Sequence, residues 1–292
     1  MKRSMAAWWF VGPALIVLGV FFFVPVIGAL LMSLTDFDLY ALSDWRNLRF
    51  IGLHNYVTLL QDPLFWKSLW NTLYFVVLGV PLSIGASLGA ALLVNSKLGR
   101  FRSFFRTVYF APVVTTLVAV AVVWRYIFHT RYGFLNYGLS GLGIHPIDWM
   151  GDPHWAMPAI VILAVWKNFG YNMIILLAAL QNIPEDLYEA ARIDGASGWQ
   201  VFRHITLPGI APVLLLVSIL TMTGYFQLFA EPYVMTEGGP LQSTLSVLYF
   251  MYEEGFKWWS LGRASAVAFL LFVLMFLVTA FQLRLGRQRG DR

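Results

Sequence analysis

Six long stretches of almost uninterrupted apolar sequence limit this chain to very few folds. They lie at 8–34, 69–94, 107–128, 157–180, 209–230 and 264–284. Crossing the hydrocarbon core of a bilayer takes about 20 apolar residues in a helix, and all six are long enough. A helix satisfies its own backbone hydrogen bonds, so it spans lipid without having to close a barrel. The expectation is an all-α membrane protein with six transmembrane helices, forming a single membrane domain over 1–292. Composition agrees: 59% of the 292 residues are hydrophobic and 12% are charged, against about 25% charged in a soluble domain. The fourth stretch is the least clean, because Lys167 lies inside it. Residues Ser4 to Thr35 carry no charge and no small-residue cleavage signature, so the N-terminal run reads as a retained first span rather than a signal peptide.

Lysine and arginine orient the spans. With a cytoplasmic N-terminus, the inner segments 1–7, 95–106, 181–208 and 284–292 hold twelve basic residues: Lys2, Arg3, Lys97, Arg100, Arg102, Arg106, Arg192, Arg203, Arg284, Arg287, Arg289 and Arg292. The outer loops are longer in total, yet hold six: Arg46, Arg49, Lys67, Arg131, Lys257 and Arg263. Basic residues collect on the cytoplasmic side of membrane proteins, which favours an N-in, C-in topology in the inner (plasma) membrane. The net charge of +5 is explained by this asymmetry and calls for no nucleic-acid partner. Outer loops also carry Trp45, Trp66, Trp149, Trp155, Trp258 and Trp259. These suit an aromatic belt at the membrane interface or a docking surface for an outside partner.

Several chemistries have no residues to support them. The absence of cysteine excludes disulfides, thiol catalysis and Cys-ligated zinc. No phosphate-binding G-x-x-x-x-G-K-[ST] loop and no H-E-x-x-H metal spacing occur. His54, His129, His145, His154 and His204 are scattered in loops and share no helical face. No catalytic residue, metal ligand or cofactor of the chain's own is expected.

The most informative polar segment is 181–212, QNIPEDLYEAARIDGASGWQVFRHITLPGIAP. Asn182 can cap a helix in which Pro184 sits early and Glu185 and Asp186 complement the positive end of the dipole. Leu187, Ala190 and Ala191 form a narrow apolar face whose small residues admit close approach. Gly195 should end that helix. Ser197 can cap a second, carrying Trp199, Val201 and Phe202, with Pro208 at its end. Two short helices at an angle, projecting into the cytoplasm, are expected. Taken alone, they need be no more than a linker between two spans.

Glu189-Ala190-Ala191, three residues, Gly195, nine residues, then Ile205-x-Leu207-Pro208 resembles the EAA loop of ABC-importer permeases at each defined position. The likeness extends over nearly the whole chain. GLHNYVTLLQDPLFWKSLWNTLYFV (52–76), TEGGP (236–240), STLSVLYFMYEEGF and GRASAVAFLLF are similar to segments of carbohydrate permeases of the maltose-permease type. The chain lacks the additional N-terminal spans and large outer insert of the enterobacterial maltose permease. It is closer to the compact six-span glycerol-3-phosphate, lactose and multiple-sugar permeases. The resemblance implies a type I importer fold and a subunit that forms half of a solute path without covalent chemistry. Its implied partners are a second homologous permease, two copies of a cytoplasmic ABC ATPase that use ATP and magnesium, and a periplasmic or lipid-anchored solute-binding protein. It also implies that Glu185, Leu187, Glu189, Ala190, Ala191, Asp194 and Gly195 couple the chain to the ATPase. The expected solute is a sugar or sugar-like molecule, with glycerol-3-phosphate or a related phosphodiester as the alternative.

Polar side chains inside a membrane are costly and mark function by default. Asn168, Tyr171 and Asn172 in the fourth span, and Thr221, Tyr225 and Gln227 around the fifth, offer the amides, hydroxyls and rings that suit a sugar. The resemblance places solute contacts in these two regions, although Leu228 stands where a polar contact can occur. The same side chains equally serve as hydrogen-bonding glue between helices. Lys167 could meet an anionic group or snorkel outward. A self-sufficient secondary transporter would want intramembrane carboxylates for ion coupling. None is found within a span, and such a transporter gives the 181–212 motif no role.

Overall fold

The computed structural model describes residues 2–44, 46, 48–95 and 102–290. Of the residues named above, Trp45, Lys97, Arg100 and Arg292 lie outside these. The described residues are almost wholly helical; their β-structure is one isolated antiparallel bridge, Thr35 with Phe50. Four continuous helices are long and apolar enough to cross a membrane: α1 (Trp8–Ser33), α2 (Pro63–Asn95), α5 (Pro153–Gln181) and α10 (Leu261–Gly286). Two bent pairs, α3 (Arg102–Val114) with α4 (Leu117–Ile127) and α7 (Gly198–Gly209) with α8 (Ala211–Phe226), have the length and composition for a crossing when each pair is taken together. Counting each pair once gives six.

The bend between α3 and α4 breaks the expected third span, whereas that between α7 and α8 falls where the hairpin was expected to meet the fifth; each has a local cause. Between α3 and α4 the axis turns by 100°. Pro112 supplies no backbone donor, and the β-branched run Val113-Val114-Thr115-Thr116 is a weak helix former. Thr116 is extended, at φ −68° and ψ 135°. Between α7 and α8 the turn is 69° at Ile210. Gly209 precedes the bend and Pro212 falls in the first turn of α8, where its missing N–H costs nothing. Ile210, fully buried, is the pivot. The α8 helix stops at Phe226, short of the expected residue 230, and a new short helix, α9 (Ala230–Met235), follows.

The described chain forms two compact units. The first comprises residues 1–66 and 250–274. In it, buried Asn55 ties the end of α1 by donating to the carbonyls of Ser33 (2.9 Å) and Thr35 (2.8 Å). Arg263 pairs with Asp62 and, through Nε, with Glu254 at 3.3 Å. Burial pushes the Glu254 carboxyl above its ordinary range, against the pull of Arg263. The apolar window of α1 is wholly uncovered here, as a lipid-facing or partner-facing helix would be.

The second unit comprises residues 67–249 and 275–292 and is built around α5. Half of the apolar window of α5 is buried. Met173, Leu176, Leu177 and Leu180 recur at helical spacing and pack with Ala91 and Val94 of α2 and with Ile210 and Val217. A loop at 238–246 is stitched to α2: Asn71 Nδ2 donates to the carbonyls of Gln242 (2.8 Å) and Leu245 (2.9 Å), and the N–H of Val247 donates to Thr72 Oγ1 at 2.9 Å. Trp149 is not part of an exposed belt. It is buried beside Phe128, and its indole donates to Asn136 Oδ1 at 2.9 Å. Trp66, Trp155, Trp258 and Trp259 are exposed.

Candidate functional site

Two sites take shape in the second unit, one on each side of a shared pair of helices. The first is a cavity of about 500 Å³ lined mainly by α5, α8 and α9, with Phe75 of α2. All six residues singled out in the sequence, Asn168, Tyr171, Asn172, Thr221, Tyr225 and Gln227, line it, as does Leu228. The helical periods explain the gathering: Asn168, Tyr171 and Asn172 fall within one turn of α5, and Thr221 and Tyr225 are one turn apart on α8.

Their environments differ. Asn172 and Thr221 are buried and joined by an Asn172 Nδ2 to Thr221 Oγ1 hydrogen bond of 2.8 Å, so this pair also fastens α5 to α8. Asn168 Nδ2 donates to the carbonyl of Ala164 at 2.9 Å. The Tyr225 ring is buried and lies 4.9 Å from the Phe75 ring. Its hydroxyl faces Ser83 and Asn168 without completing a hydrogen bond to either. Room for this ring depends on Gly79, where a methyl group would come within 2.7 Å of Tyr225 Cε2. Tyr171, 49% exposed, and Gln227 present accessible polar groups.

Charge in this region comes from two residues. Lys167 is tied to backbone. Its ammonium donates at the α3–α4 bend to the carbonyls of Thr115 (2.8 Å) and Pro112 (2.9 Å), the latter also accepting from Thr115 Oγ1 at 2.6 Å. The acidic side chain that lines the cavity is Glu231, in the first turn of α9; burial pushes its carboxyl above the ordinary range, against the smaller pull of Lys167. Sequence reading missed Glu231 because the apolar run continues to residue 230. The signal was an acidic residue directly after a span and next to Pro232.

The second site is the hairpin after α5. Its first helix, α6, runs Glu185–Ile193. Pro184, rather than Asn182, is its N-cap; Asn182 instead closes α5. The C-terminus is a Schellman motif: the N–H of Gly195 donates to Arg192 O (3.2 Å) and that of Ala196 to Ala191 O (2.9 Å). This needs Gly195 at φ +72°, where a side chain would be strained. Ser197 caps α7 as expected and forms a capping box with Gln200. Tyr188 of α6 and Thr206 of α7 join hydroxyls at 3.2 Å. Glu185, Leu187, Glu189, Ala190, Asp194 and Gly195 are exposed. Ala191 departs from the expected outer face: it is buried. Exposed Leu187, Ile193 and Trp199 leave this tip unusually apolar for a free surface.

Chain connectivity links the sites. The hairpin is held between α5 and α8, the two helices that supply the polar wall of the cavity. Three residues separate α5 from α6, and one separates α7 from α8.

Comparison with known proteins gives a consistent result. Residues 65–290 match the family of binding-protein-dependent transport system inner membrane components. The chain is 37% identical to the lactose transport system permease protein LacF of Rhizobium radiobacter, covering 99% of this chain and 97% of that one. It is 38% identical to the trehalose/maltose transport system permease protein MalF of Thermococcus litoralis (96% and 92% covered). It is 34% identical to the arabinooligosaccharides transport system permease protein AraP of Bacillus subtilis (99% and 91%). Among solved structures, a chain of a bacterial ABC transporter involved in the import of the acidic polysaccharide alginate superposes with a TM-score of 0.80. The match covers 98% of this chain and 96% of that one at 24% identity, and shows a shared fold.

Proposed function

Since this chain belongs to the binding-protein-dependent transport system inner membrane components, and is thus a multi-pass permease subunit of an ABC importer, we propose that it forms half of the path by which a sugar or short oligosaccharide enters the cytoplasm. The observation that carries this reading is the cavity, in which amide, hydroxyl and aromatic groups converge on one space. Sugars need such a mixture, hydrogen bonds for the hydroxyls and flat apolar surface for the ring faces. Relatives named for lactose, trehalose/maltose and arabinooligosaccharide transport support the same solute class.

The subunit performs no covalent chemistry in this reading. A second permease completes the path, two ATPase subunits bind the cytoplasmic face, and a binding protein delivers solute outside. The exposed hairpin tip, with Glu185, Leu187, Glu189, Asp194 and Gly195, seats in the ATPase, while Ala190 allows close approach and Ala191 holds the hairpin together. ATP-driven closure moves the hairpin, and because the hairpin joins α5 to α8, that motion reaches the two walls of the cavity. The mechanism requires each ligand to bind one state better than the other. Solute loading must then change ATP binding in return.

Reconstitution of this chain with its partner permease, ATPase and binding protein in liposomes tests the reading. Uptake of a labelled di- or trisaccharide should depend on ATP and be accompanied by faster hydrolysis. ATP-independent uptake would overturn the importer assignment, and stimulation by non-sugar solutes alone would overturn the sugar.

A further inference from the structure

We propose that Tyr233 forms an outer subsite of the solute path, stacking on a sugar ring of an oligosaccharide whose other end occupies the cavity, an inference that rests on the sugar-path reading above. Three observations carry it. The first is continuity. Phe229 lines the cavity, and the ring of Tyr233 stacks on it with centroids 5.3 Å apart and planes 23° apart. The two residues are one helical turn apart, joined by a bond of 3.0 Å from the Tyr233 N–H to Phe229 O. The second is bracing. Tyr249, from the helix Val247–Tyr252, stands across both rings, at 5.8 Å and 88° from Phe229 and at 5.5 Å and 73° from Tyr233. The third is exposure. Tyr249 is 6% exposed, as a ring that serves packing should be, whereas Tyr233 in the same cluster is 43% exposed.

The chemistry follows from this placement. A tyrosine ring offers a large, rigid apolar face that matches the C–H face of a sugar ring. It has few rotatable bonds, and bracing by Tyr249 lowers the ordering cost further when a solute settles on it. At about 500 Å³ the cavity lies in the lower part of the range for small-molecule sites, about 300–1,000 Å³. A chain longer than it can enclose has to continue past the lining residues. Span five rises from the cytoplasmic hairpin and stops at Phe226, so α9 lies toward the outer face, from which solute arrives. Along α9 the aromatic wall runs from Phe229, in the cavity, to Tyr233, beyond its lining. The wall offers the last ring of a trisaccharide a surface that a disaccharide seated in the cavity does not reach.

The test uses the complete importer in nanodiscs, trapped with vanadate in the presence of saturating binding protein. Labelled maltose and maltotriose, lactose and galactosyl-lactose, and arabinobiose and arabinotriose are supplied at millimolar concentration. The quantity read is solute retained per complex, expressed as the trisaccharide-to-disaccharide ratio within each pair. Tyr233→Ala should lower that ratio by about three- to tenfold, the scale of one aromatic contact. Tyr233→Leu, which keeps apolar bulk without a ring, should lower it as far, and Tyr233→Phe should keep the wild-type ratio. A ratio that Tyr233→Ala leaves within twofold of wild type overturns the inference while the sugar reading stands; equal loss of both sugars is such a result and reports packing of α9. A wild-type ratio in Tyr233→Leu also overturns it, since bulk rather than a ring would then suffice. So does a wild-type complex that retains disaccharide but no trisaccharide, because the path then ends at the cavity. Retention of none of the sugars by the wild-type complex removes the sugar reading, and this inference with it.

Discussion

The hairpin and the cavity share two helices but are specified in opposite ways. Within the hairpin, the turn and the caps are set by residues a few positions apart, and one longer contact ties the two helices. Gly195 supplies the left-handed turn, Ser197 and Gln200 box the next helix, and Tyr188 reaches Thr206. The cavity has no such local grammar. Its walls come from residues 75, 117, 164–172, 220–231 and 248, and none of these stretches makes a pocket by itself. A local motif survives as a unit and can be lost through one residue, whereas a pocket assembled from distant helices depends on how the helices are held.

The sharpest way to break the comparison is Gly195→Pro. Proline fixes φ near −65° where the backbone needs +72° and removes the N–H that bonds Arg192 O. A local penalty of about 3 kcal/mol or more should abolish retention of the ATPase on an affinity-purified permease pair, while the pair itself stays assembled. Normal ATPase docking with coupled hydrolysis would remove the hairpin from the coupling role.

Next in size is Lys167→Met. The exposed Thr115 carbonyl loses the Lys167 ammonium, while that of Pro112 keeps the Thr115 hydroxyl at 2.6 Å, so the cost should be about that of a net hydrogen bond, roughly 0.5–1.5 kcal/mol. Thermal unfolding of the detergent-solubilised protein should begin several degrees lower, and the ratio of anionic to neutral solute retained should not change. A changed ratio with unchanged stability would mean that Lys167 faces solute.

A smaller effect is expected where the cavity doubles as helix glue. A double-mutant cycle of Asn172→Ala and Thr221→Val should give a coupling of about 0.6 kcal/mol, typical of hydrogen bonds between membrane helices. Both single variants should also raise the sugar concentration needed for half-maximal uptake. Zero coupling in stability with weakened uptake would make the pair purely a solute contact.

The smallest is Ser197→Ala. Its cap to the Gln200 N–H is long at 3.4 Å, so the cost should fall near the lower end for caps, about 0.5 kcal/mol. ATPase affinity should weaken by no more than a few-fold. A loss as large as that of Gly195→Pro would show that α7, rather than α6, carries the docking surface.

Sequence alone determined the apolar spans, because the cost of placing charge or unpaired backbone in lipid is paid residue by residue and can be counted along the chain. It also determined the hairpin, whose turn and capping chemistry acts over five residues or fewer. Its boundary errors were of the same local kind: Pro184 took the cap assigned to Asn182, and Ala191 turned inward. The tertiary structure alone decided that the third span bends, since a carbonyl freed at a bend within a span needs a donor such as Lys167, 52 residues away from Thr115, to meet it. It also decided that six scattered polar side chains share one cavity with Glu231. Periodicity says which residues share a face of one helix, but not which other helix that face will meet.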